Sequence, residues 1–122
     1  MALAHNYLAE NCDSFLLLQQ VNGINESLTK HNVTISNFNV INCGIDEGIF
    51  IFSRAKGANI INGLIIGSLE VESIFRGRHS DINFKNITIK QRAQNILDLR
   101  PSFHGNAFSK SENNIYNFNL FV

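Results

Sequence analysis

The sequence predicts an all-β protein in which short strands stack as about four similar units. Three observations support this fold class: four segments resemble one another, a second set of short apolar segments alternates with them, and the composition favours strands and corners. The chain of 122 residues contains 18 Asn, many Ile and 10 Phe, but one Pro and no Trp. Asn favours turns and left-handed backbone, whereas Ile and Phe favour strands. We therefore expect many short strands that are separated by Asn-bearing corners.

Residues 1–13 are predicted to form an N-terminal cap, followed by a repeat domain over residues 14–122. Leu3, Tyr7 and Leu8 have the spacing of one face of a helix, and good helix formers surround them. Stacked β folds expose strand edges at their ends, and such edges need protection. The cap is therefore expected to be a short amphipathic helix.

Four segments of the repeat domain share a pattern of Asn and β-branched residues. A polar residue precedes Val or Ile, a second Asn follows once the second and fourth segments are allowed to be shorter, and alternating apolar residues come next. The segments are residues 31–42, 58–68, 80–90 and 113–122. The first polar column consists of Asn32, Asn59, Asp81 and Asn114, and the second of Asn37, Asn62, Asn86 and Asn117. The pattern indicates one structural unit that is repeated four times.

A second set of predicted strands comes before these segments. Each strand has an apolar centre and a polar end, and the set comprises residues 14–20, 48–54, 72–78 and 95–101. Each unit thus contains two or three short strands. The insertion at residues 102–112 is expected to be a loop.

A parallel solenoid explains such a repeat better than an antiparallel sandwich, because equivalent positions of successive turns lie over one another. Successive turns are roughly 4.8 Å apart, so Asn side chains at one corner can hydrogen-bond in a ladder. The segments NVTISNFNV and DINFKNITI resemble the repeats of the right-handed parallel β-helix family, the pectin-lyase-like superfamily. The resemblance covers about residues 14–122 and concerns the repeat rather than a catalytic motif. It implies a right-handed parallel β-helix of about four coils.

The charge and the cysteines exclude several classes of function. Ten basic and ten acidic residues give a formal net charge of zero, so no overall field directs the chain to nucleic acid or to anionic membranes. The first residues lack the features of a signal peptide and of a membrane anchor. Cys12 and Cys43 have no metal-ligand spacing and no CxxC partner, so two free and mostly buried thiols are expected, with a disulfide as the alternative. Neither a metal nor another cofactor is predicted.

The candidate binding residues lie near the ends of the second set of strands. If side chains alternate along these strands, Arg76 and Arg100 fall in one outward-facing row and Asp98 in the next. Arg binds carboxylates bidentately, and the resemblance implies a lyase-type site that neutralises an acidic sugar. The alternative is a solvated face on which Asp98 pairs with a neighbouring Arg. The predicted binding residues are Arg76, Arg78, Asp98, Arg100 and His104.

Sequence signatures of catalysis are missing. The sequence lacks GxSxG, HExxH, a phosphate-binding Gly loop, and the paired-aspartate and Gly-His-Gly motifs of polygalacturonases. Asp46 and Glu47 are predicted to cap a turn rather than to act as an acid and base pair. Four coils are also short, at about 19 Å, for a groove that must hold several sugar units. No catalytic residue is therefore predicted.

The favoured function is a non-enzymatic β-helix module for binding or structural assembly. It would belong to a virion or phage tail or to a carbohydrate-facing surface protein, and its location would be extracellular or virion-associated. The expected partners are a polysaccharide or a protein, and a homotrimer would cover the apolar C-terminal strand, which has no polar closing segment. One alternative is a small or truncated polysaccharide lyase or hydrolase that uses Arg76, Asp98 and Arg100. Another is a phage-type inhibitor or interaction protein that uses its flat β face.

Overall fold

The computed structural model describes residues 2–19, 33–44, 47–90, 93–101 and 107–121. The described residues form nine strands and no helix. The strands are β1 (Ala2–Glu10), β2 (Leu16–Gln19), β3 (Val33–Cys43), β4 (Gly48–Ser53), β5 (Ala55–Gly67), β6 (Ser73–Arg76), β7 (His79–Lys90), β8 (Asn95–Asp98) and β9 (Ile115–Phe121). None of the described segments is a helix of the length and hydrophobicity that crossing a bilayer requires.

The strands alternate between two parallel sheets. The odd-numbered strands form a five-stranded sheet in the order β1-β3-β5-β7-β9, and the even-numbered strands form a four-stranded sheet in the order β2-β4-β6-β8. Each strand from β1 to β7 therefore pairs in parallel with the strand two positions further along the chain. The predicted all-β class with parallel strands is confirmed. The second set of strands is also confirmed, because the strands of the smaller sheet lie within the four predicted segments.

The predicted N-terminal helix is wrong. The segment is strand β1, which pairs with β3 from Ala2 opposite Val33 to Glu10 opposite Ile41. So short a helix is marginal on its own in water. The edge of β3, in contrast, supplies a hydrogen-bond partner for the backbone of β1 along its whole length. The role of residues 1–13 as a cap stays a prediction.

Residues with left-handed backbone bend the long strands at equivalent positions. Asn37, Asn62 and Asn86 have φ values of 56°, 56° and 54°, and the residues on either side of them pair in register. The alternation of buried side chains shifts by one residue at this point, so that both Ile35 and Phe38 are buried in β3. Asn is one of the few residues with a side chain that adopts this conformation readily. Each of these strands therefore turns a corner at its Asn.

Two further columns of left-handed residues mark other corners. Asn11 and Asn42 form one column, with φ values of 55° and 54°. Register aligns the other column, which consists of Gly57, Asp81 and Asn113. Six of the eight non-glycine residues with positive φ in the described part of the chain are Asn. The high Asn content therefore reflects the backbone geometry of the corners.

Hydrogen bonds between side chains connect the corners of neighbouring strands. Asn86 Nδ2 donates to Asn62 Oδ1 over 3.0 Å, and Asn117 Oδ1 accepts from the Asn86 backbone N–H over 2.9 Å. Asn119 Nδ2 donates to Asn86 Oδ1 over 3.2 Å. At another corner, Asn42 Nδ2 donates to Asn11 Oδ1 over 2.8 Å. Hydrogen bonds therefore join the corner residues of the second predicted column along β5, β7 and β9.

The first predicted column is misaligned. Asn59 pairs with Asn83 rather than with Asp81. The neighbour of Asp81 on the next segment is Asn113, since Ser80 bridges to Glu112. Asn32 lies outside the described residues. The error arises because the strands differ in length before the corner, and a repeat of residue types does not reveal where the additional residues stand.

Aromatic rings fill the space between the two sheets. Phe38, Phe50, Phe75 and Phe84 are fully buried, and successive ring centroids lie 5.7 Å, 5.1 Å and 4.9 Å apart along this series. These separations are typical of favourable aromatic pairs. Gly63 faces the Phe38 ring so closely that a Cβ atom there would overlap it. The inward position of β5 at this level is therefore restricted to Gly.

Strand β9 is one of the two edge strands of the larger sheet and is largely exposed. Among the described strands it pairs only with β7. Ile115, Leu120 and Phe121 are 62%, 56% and 58% exposed. This end of the sheet therefore presents apolar side chains together with one row of backbone groups that no described strand pairs.

We predict that Asn86→Leu lowers the free energy of unfolding by on the order of 2 kcal/mol. Leu is strained at the φ of 54° and lacks the amide that bonds to Asn62 and Asn119. Asn86→Gly should restore part of this loss, because Gly adopts the left-handed conformation without strain. Urea denaturation measures the free energy of unfolding of the wild type and of the two variants.

The matched control is Asn59→Leu, which changes an exposed Asn of the neighbouring strand β5 that is not left-handed. Its effect should stay within about 0.5 kcal/mol, as for an ordinary surface change. A similarly small effect of Asn86→Leu would contradict the role of the corner.

Candidate functional site

The predicted row of outward-facing residues is shifted by one position. Arg76 of β6 pairs with Asp98 of β8 and with Ile51 of β4, so these three residues form one row. The sequence had placed Arg76 and Asp98 in different rows. The reason is register, since Phe75 pairs with Leu97 and sets the alternation that follows. The shift brings the guanidinium and the carboxylate closer together than expected.

Four charged side chains form one network at the ends of β6 and β8. Arg100 binds Asp98 bidentately, with Nε 3.0 Å from Oδ1 and Nη2 2.6 Å from Oδ2. Arg76 Nη1 lies 3.3 Å from Glu72 Oε2 and 3.8 Å from Asp98 Oδ2. Arg100 Nη2 also lies 3.5 Å from Glu72 Oε2. Two cations therefore meet two anions, and the network carries no net charge.

Arg76 holds the segment that follows β8. Its Nε donates to the Arg100 carbonyl over 3.2 Å, and its Nη2 donates to the Pro101 carbonyl over 3.1 Å. The side chains of Arg76 and Asp98 are only 7% and 9% exposed, whereas that of Arg100 is 65% exposed. Arg76 therefore donates its hydrogen bonds to groups of the protein itself. Arg100 is the member of the network that solvent reaches.

Hydrogen bonds from Arg100 hold the pKa of Asp98 below its ordinary value. Burial acts in the opposite direction, while the Arg100 backbone N–H and the charges of Arg76 and Arg100 add to the lowering. Asp98 is therefore ionised at neutral pH and is unsuited to act as a general acid there. Its chemistry is that of a fixed anion.

The other predicted binding residues are Arg78 and His104. Arg78 Nη1 donates to the Phe108 carbonyl over 3.0 Å, and His104 lies outside the described residues. Glu72, which is not among the predicted binding residues, completes the network. Its position four residues before Arg76 in the same predicted segment is the signal that could have identified it. The predicted turn cap at Asp46 and Glu47 includes Asp46, which also lies outside the described residues.

A buried histidine lies next to this region. His79 is fully buried, with Nδ1 2.9 Å from the Gly77 carbonyl and Nε2 2.6 Å from the Tyr116 hydroxyl. A carbonyl can only accept, so Nδ1 carries the proton and Tyr116 donates its O–H to Nε2. Burial lowers the pKa of His79 to about 4 and raises the pKa of Tyr116 to about 12. Both groups are therefore neutral at physiological pH.

Asn114 fixes the backbone around His79. Its Nδ2 donates to the His79 carbonyl over 2.9 Å, and its Oδ1 accepts from the Ile82 N–H over 3.0 Å. The imidazole also packs against the ring of Phe52, with centroids 4.5 Å apart. The imidazole is enclosed on these sides, so it connects β7 to β9 rather than facing a ligand.

A shallow groove crosses the corner column of the larger sheet. It has a volume of about 590 Å³. Its lining consists of Asn37, Phe38, Asn39, Asn62, Gly63, Leu64, Asn86 and Thr88. Asn37, Asn39, Asn62 and Asn86 are exposed. This groove was not predicted from the sequence, because the corner amides were expected to bond only to one another in the ladder.

No group of three or more His, Cys, Asp or Glu side chains in the described part of the chain is placed to hold a metal ion. The chain matches no family model, no curated protein sequence and no solved structure. Its function is therefore inferred from the geometry of these surfaces.

We predict that Asp98→Asn lowers the free energy of unfolding at pH 7 by on the order of 1–3 kcal/mol. The change removes the anion that Arg100 binds and leaves the buried Arg76 with less compensation. Because the folded-state pKa of Asp98 is lowered, its stabilisation is present above about pH 3.9 and is lost as the pH falls through the folded-state value. The two proteins should therefore converge at acid pH in urea denaturation.

Glu112→Gln is the control, because Glu112 pairs with Lys110 over 3.6 Å on the surface. Such an exposed pair contributes little. Equal effects of the two substitutions at pH 7 would contradict the importance of the network.

We also predict that His79 stays neutral down to about pH 4. Below pH 6.5, the ordinary pKa of His, this residue binds a proton in the unfolded chain but stays neutral in the folded chain. The contribution of His79 to stability is therefore complete above pH 6.5 and falls between pH 6.5 and about 4. The resulting loss in the free energy of unfolding is on the order of 3 kcal/mol. NMR titration of the imidazole, assigned with His79→Gln, measures the pKa directly. A midpoint near 6.5 would disprove the prediction.

Proposed function

We propose that the chain is a right-handed parallel β-helix module that binds a saccharide and does not catalyse its cleavage. Consecutive strands alternate between two sheets, and each strand from β1 to β7 pairs with the strand two positions further on. This connectivity supports a chain that completes one coil for every two strands. Left-handed residues at equivalent positions support the same interpretation, since a solenoid repeats its corners.

The single observation that carries the proposed binding function is the groove over the corner amides. Exposed Asn side chains offer both donors and acceptors, and the Thr88 hydroxyl adds one of each. Leu64 supplies apolar surface beside them. Alternating polar and apolar groups of this kind suit a sugar, which presents hydroxyl groups at its edge and C–H groups on its faces.

A neutral saccharide is the favoured ligand. The groove contains no charged residue, and the two arginines of the network are balanced by Asp98 and Glu72. The groove spans three strands, a length of roughly 10 Å. It is therefore long enough for a short oligosaccharide. An acidic glycan bound by Arg76, Arg78, Asp98, Arg100 and His104 remains the alternative.

The network also favours binding over catalysis. A lyase needs a base that can remove a proton and a cation that can reach the substrate. Arg76 and Asp98 are buried and lie next to each other, and Arg76 also donates to the Arg100 carbonyl. Only Arg100 combines a positive charge with substantial exposure in this network.

A second candidate function, structural assembly, is favoured by the exposed edge of β9. Its apolar side chains and the backbone edge that no described strand pairs would be covered in a homotrimer. A virion or phage tail, or another extracellular setting, would bring such ends together. Light scattering tests this candidate, and a stable monomer at high concentration would contradict the trimer.

We predict that Asn39→Ala weakens binding of a neutral polysaccharide by roughly threefold to tenfold, the effect of one lost hydrogen bond. Asn39 lines the groove and is exposed. Affinity electrophoresis in gels that contain single neutral or acidic polysaccharides measures the affinity and identifies the ligand.

Asn59→Ala is the matched control, because Asn59 is an exposed Asn on the same sheet that does not line the groove. Equal loss of binding in both variants would contradict the groove. Release of unsaturated or reducing ends from an anionic polysaccharide, abolished by Arg100→Ala, would instead support the enzyme alternative.

A further inference from the structure

The two cysteines occupy facing positions on neighbouring strands. Glu10 pairs with Ile41 at the end of β1 and β3, and the ladder continues as Gly44 N–H donates to the Cys12 carbonyl over 2.8 Å. Cys12 therefore stands opposite Cys43, although 31 positions separate them along the chain. Neighbouring strands lie roughly 4.8 Å apart, which falls within the range of Cα separations found in disulfides.

The side chain of Cys43 is already in contact with Cys12. The Cys12 backbone N–H donates to Cys43 Sγ over 3.2 Å, and the Cys12 thiol also hydrogen-bonds to Cys43. Cys43 Sγ in turn lies 3.5 Å from the Ile41 carbonyl oxygen. Both residues are free thiols in the structure. A disulfide would therefore require rotation of side chains rather than displacement of the strands.

A cavity gives solvent access to one of the two thiols. It has a volume of about 350 Å³ and is lined by Asn11, Cys12, Asn42, Gly44, Ser68, Leu69 and Glu70. Cys12 is half-buried and lines this cavity, whereas Cys43 is fully buried beneath it. A small reagent can therefore reach Cys12 before Cys43.

We propose that Cys12 and Cys43 form a redox-active pair, which a low-molecular-weight disulfide converts into a bond that locks β1 onto β3. The Cys12 thiolate attacks one sulfur of the external disulfide, forms a mixed disulfide and expels one small thiolate. The Cys43 thiolate then attacks the sulfur of Cys12 and expels the second. The protein gives up two electrons and two protons, and the external disulfide is reduced to two thiols.

The bond would act on the strand with the least support at this end of the sheet. Among the described strands, β1 pairs only with β3. A crosslink that closes a loop of this length strongly reduces the freedom of the unfolded chain. It would also prevent β1 from separating from the sheet on its own. The oxidised protein would therefore keep its N-terminal edge closed.

The surroundings of the thiols set the rate of the exchange. Burial raises the pKa of Cys12 to about 12, with the hydrogen bond to Cys43 as the next cause and the charge of Asp13 as a minor one. The thiolate is therefore scarce at neutral pH, and the reaction should accelerate about tenfold for each pH unit between 7 and 9. Glu70 lines the entrance, so a neutral reagent such as bis(2-hydroxyethyl) disulfide is the suitable probe.

The test treats the full chain with bis(2-hydroxyethyl) disulfide and follows the products by mass spectrometry and by hydrogen exchange of residues 2–10. We expect a monomer that has lost two hydrogens, exchange in β1 slowed at least tenfold, and a melting temperature raised by roughly 10 °C. Dithiothreitol should reverse all three changes. A product that stops at the mixed disulfide, or that crosslinks two chains, would overturn the proposal.

Two variants separate the steps. Cys43→Ala keeps a small buried side chain and should accumulate the mixed disulfide at Cys12. Cys12→Ser should remain unmodified, because the buried Cys43 is out of reach of the reagent. An intramolecular bond that leaves the exchange of β1 unchanged would disprove the locking effect.

Discussion

The left-handed backbone at the corners is the constraint on which the rest of the structure depends. Strands β3, β5 and β7 bend at Asn37, Asn62 and Asn86. Each bend shifts the alternation of buried side chains by one residue. If one corner moved along its strand, the apolar side chains beyond it would point outward. Asn satisfies the backbone requirement and supplies an amide that bonds to the neighbouring strand. One residue type therefore sets both the bend and the register.

Two buried polar side chains, Arg76 and His79, form hydrogen bonds near the places where the chain leaves each sheet. Arg76 bonds to two carbonyl oxygens beyond β8, and His79 bonds to a carbonyl and to Tyr116. These contacts compensate for burial, which is costly for any unbonded polar group. They also consume groups that would otherwise be available to a ligand. The proposed binding function accordingly rests on the exposed amides and not on the charged network.

Much of the architecture could be predicted because equivalent positions in a stacked fold need similar residues, so the sequence repeats. The second column of Asn and the strands of the smaller sheet were found from spacing alone. The predicted first column was wrong. The left-handed residues are Gly57 and Asn113, and residue type alone did not favour them over nearby Asn59 and Asn114. The prediction of an N-terminal helix was wrong because β1 is stabilised by β3, a partner that local spacing cannot reveal.

Alternation placed Arg76, Asp98 and Arg100 in one region, but register decided which of them share a row. Glu72 was overlooked although it lies four residues before its partner Arg76 in the same predicted segment.

The alternation of strands between two sheets has a consequence for how the chain folds. None of the nine described strands pairs with the next one in sequence, so each pairing between them joins residues that are far apart along the chain, as when Ile61 meets Lys85 or Leu16 meets Phe50. Each first contact must therefore close a long loop before any sheet hydrogen bond repays the lost entropy. Once one pair of strands has met, the next strand finds a preformed edge with its corner already in place. Folding should thus be slow to begin and then spread from the central strands toward both ends.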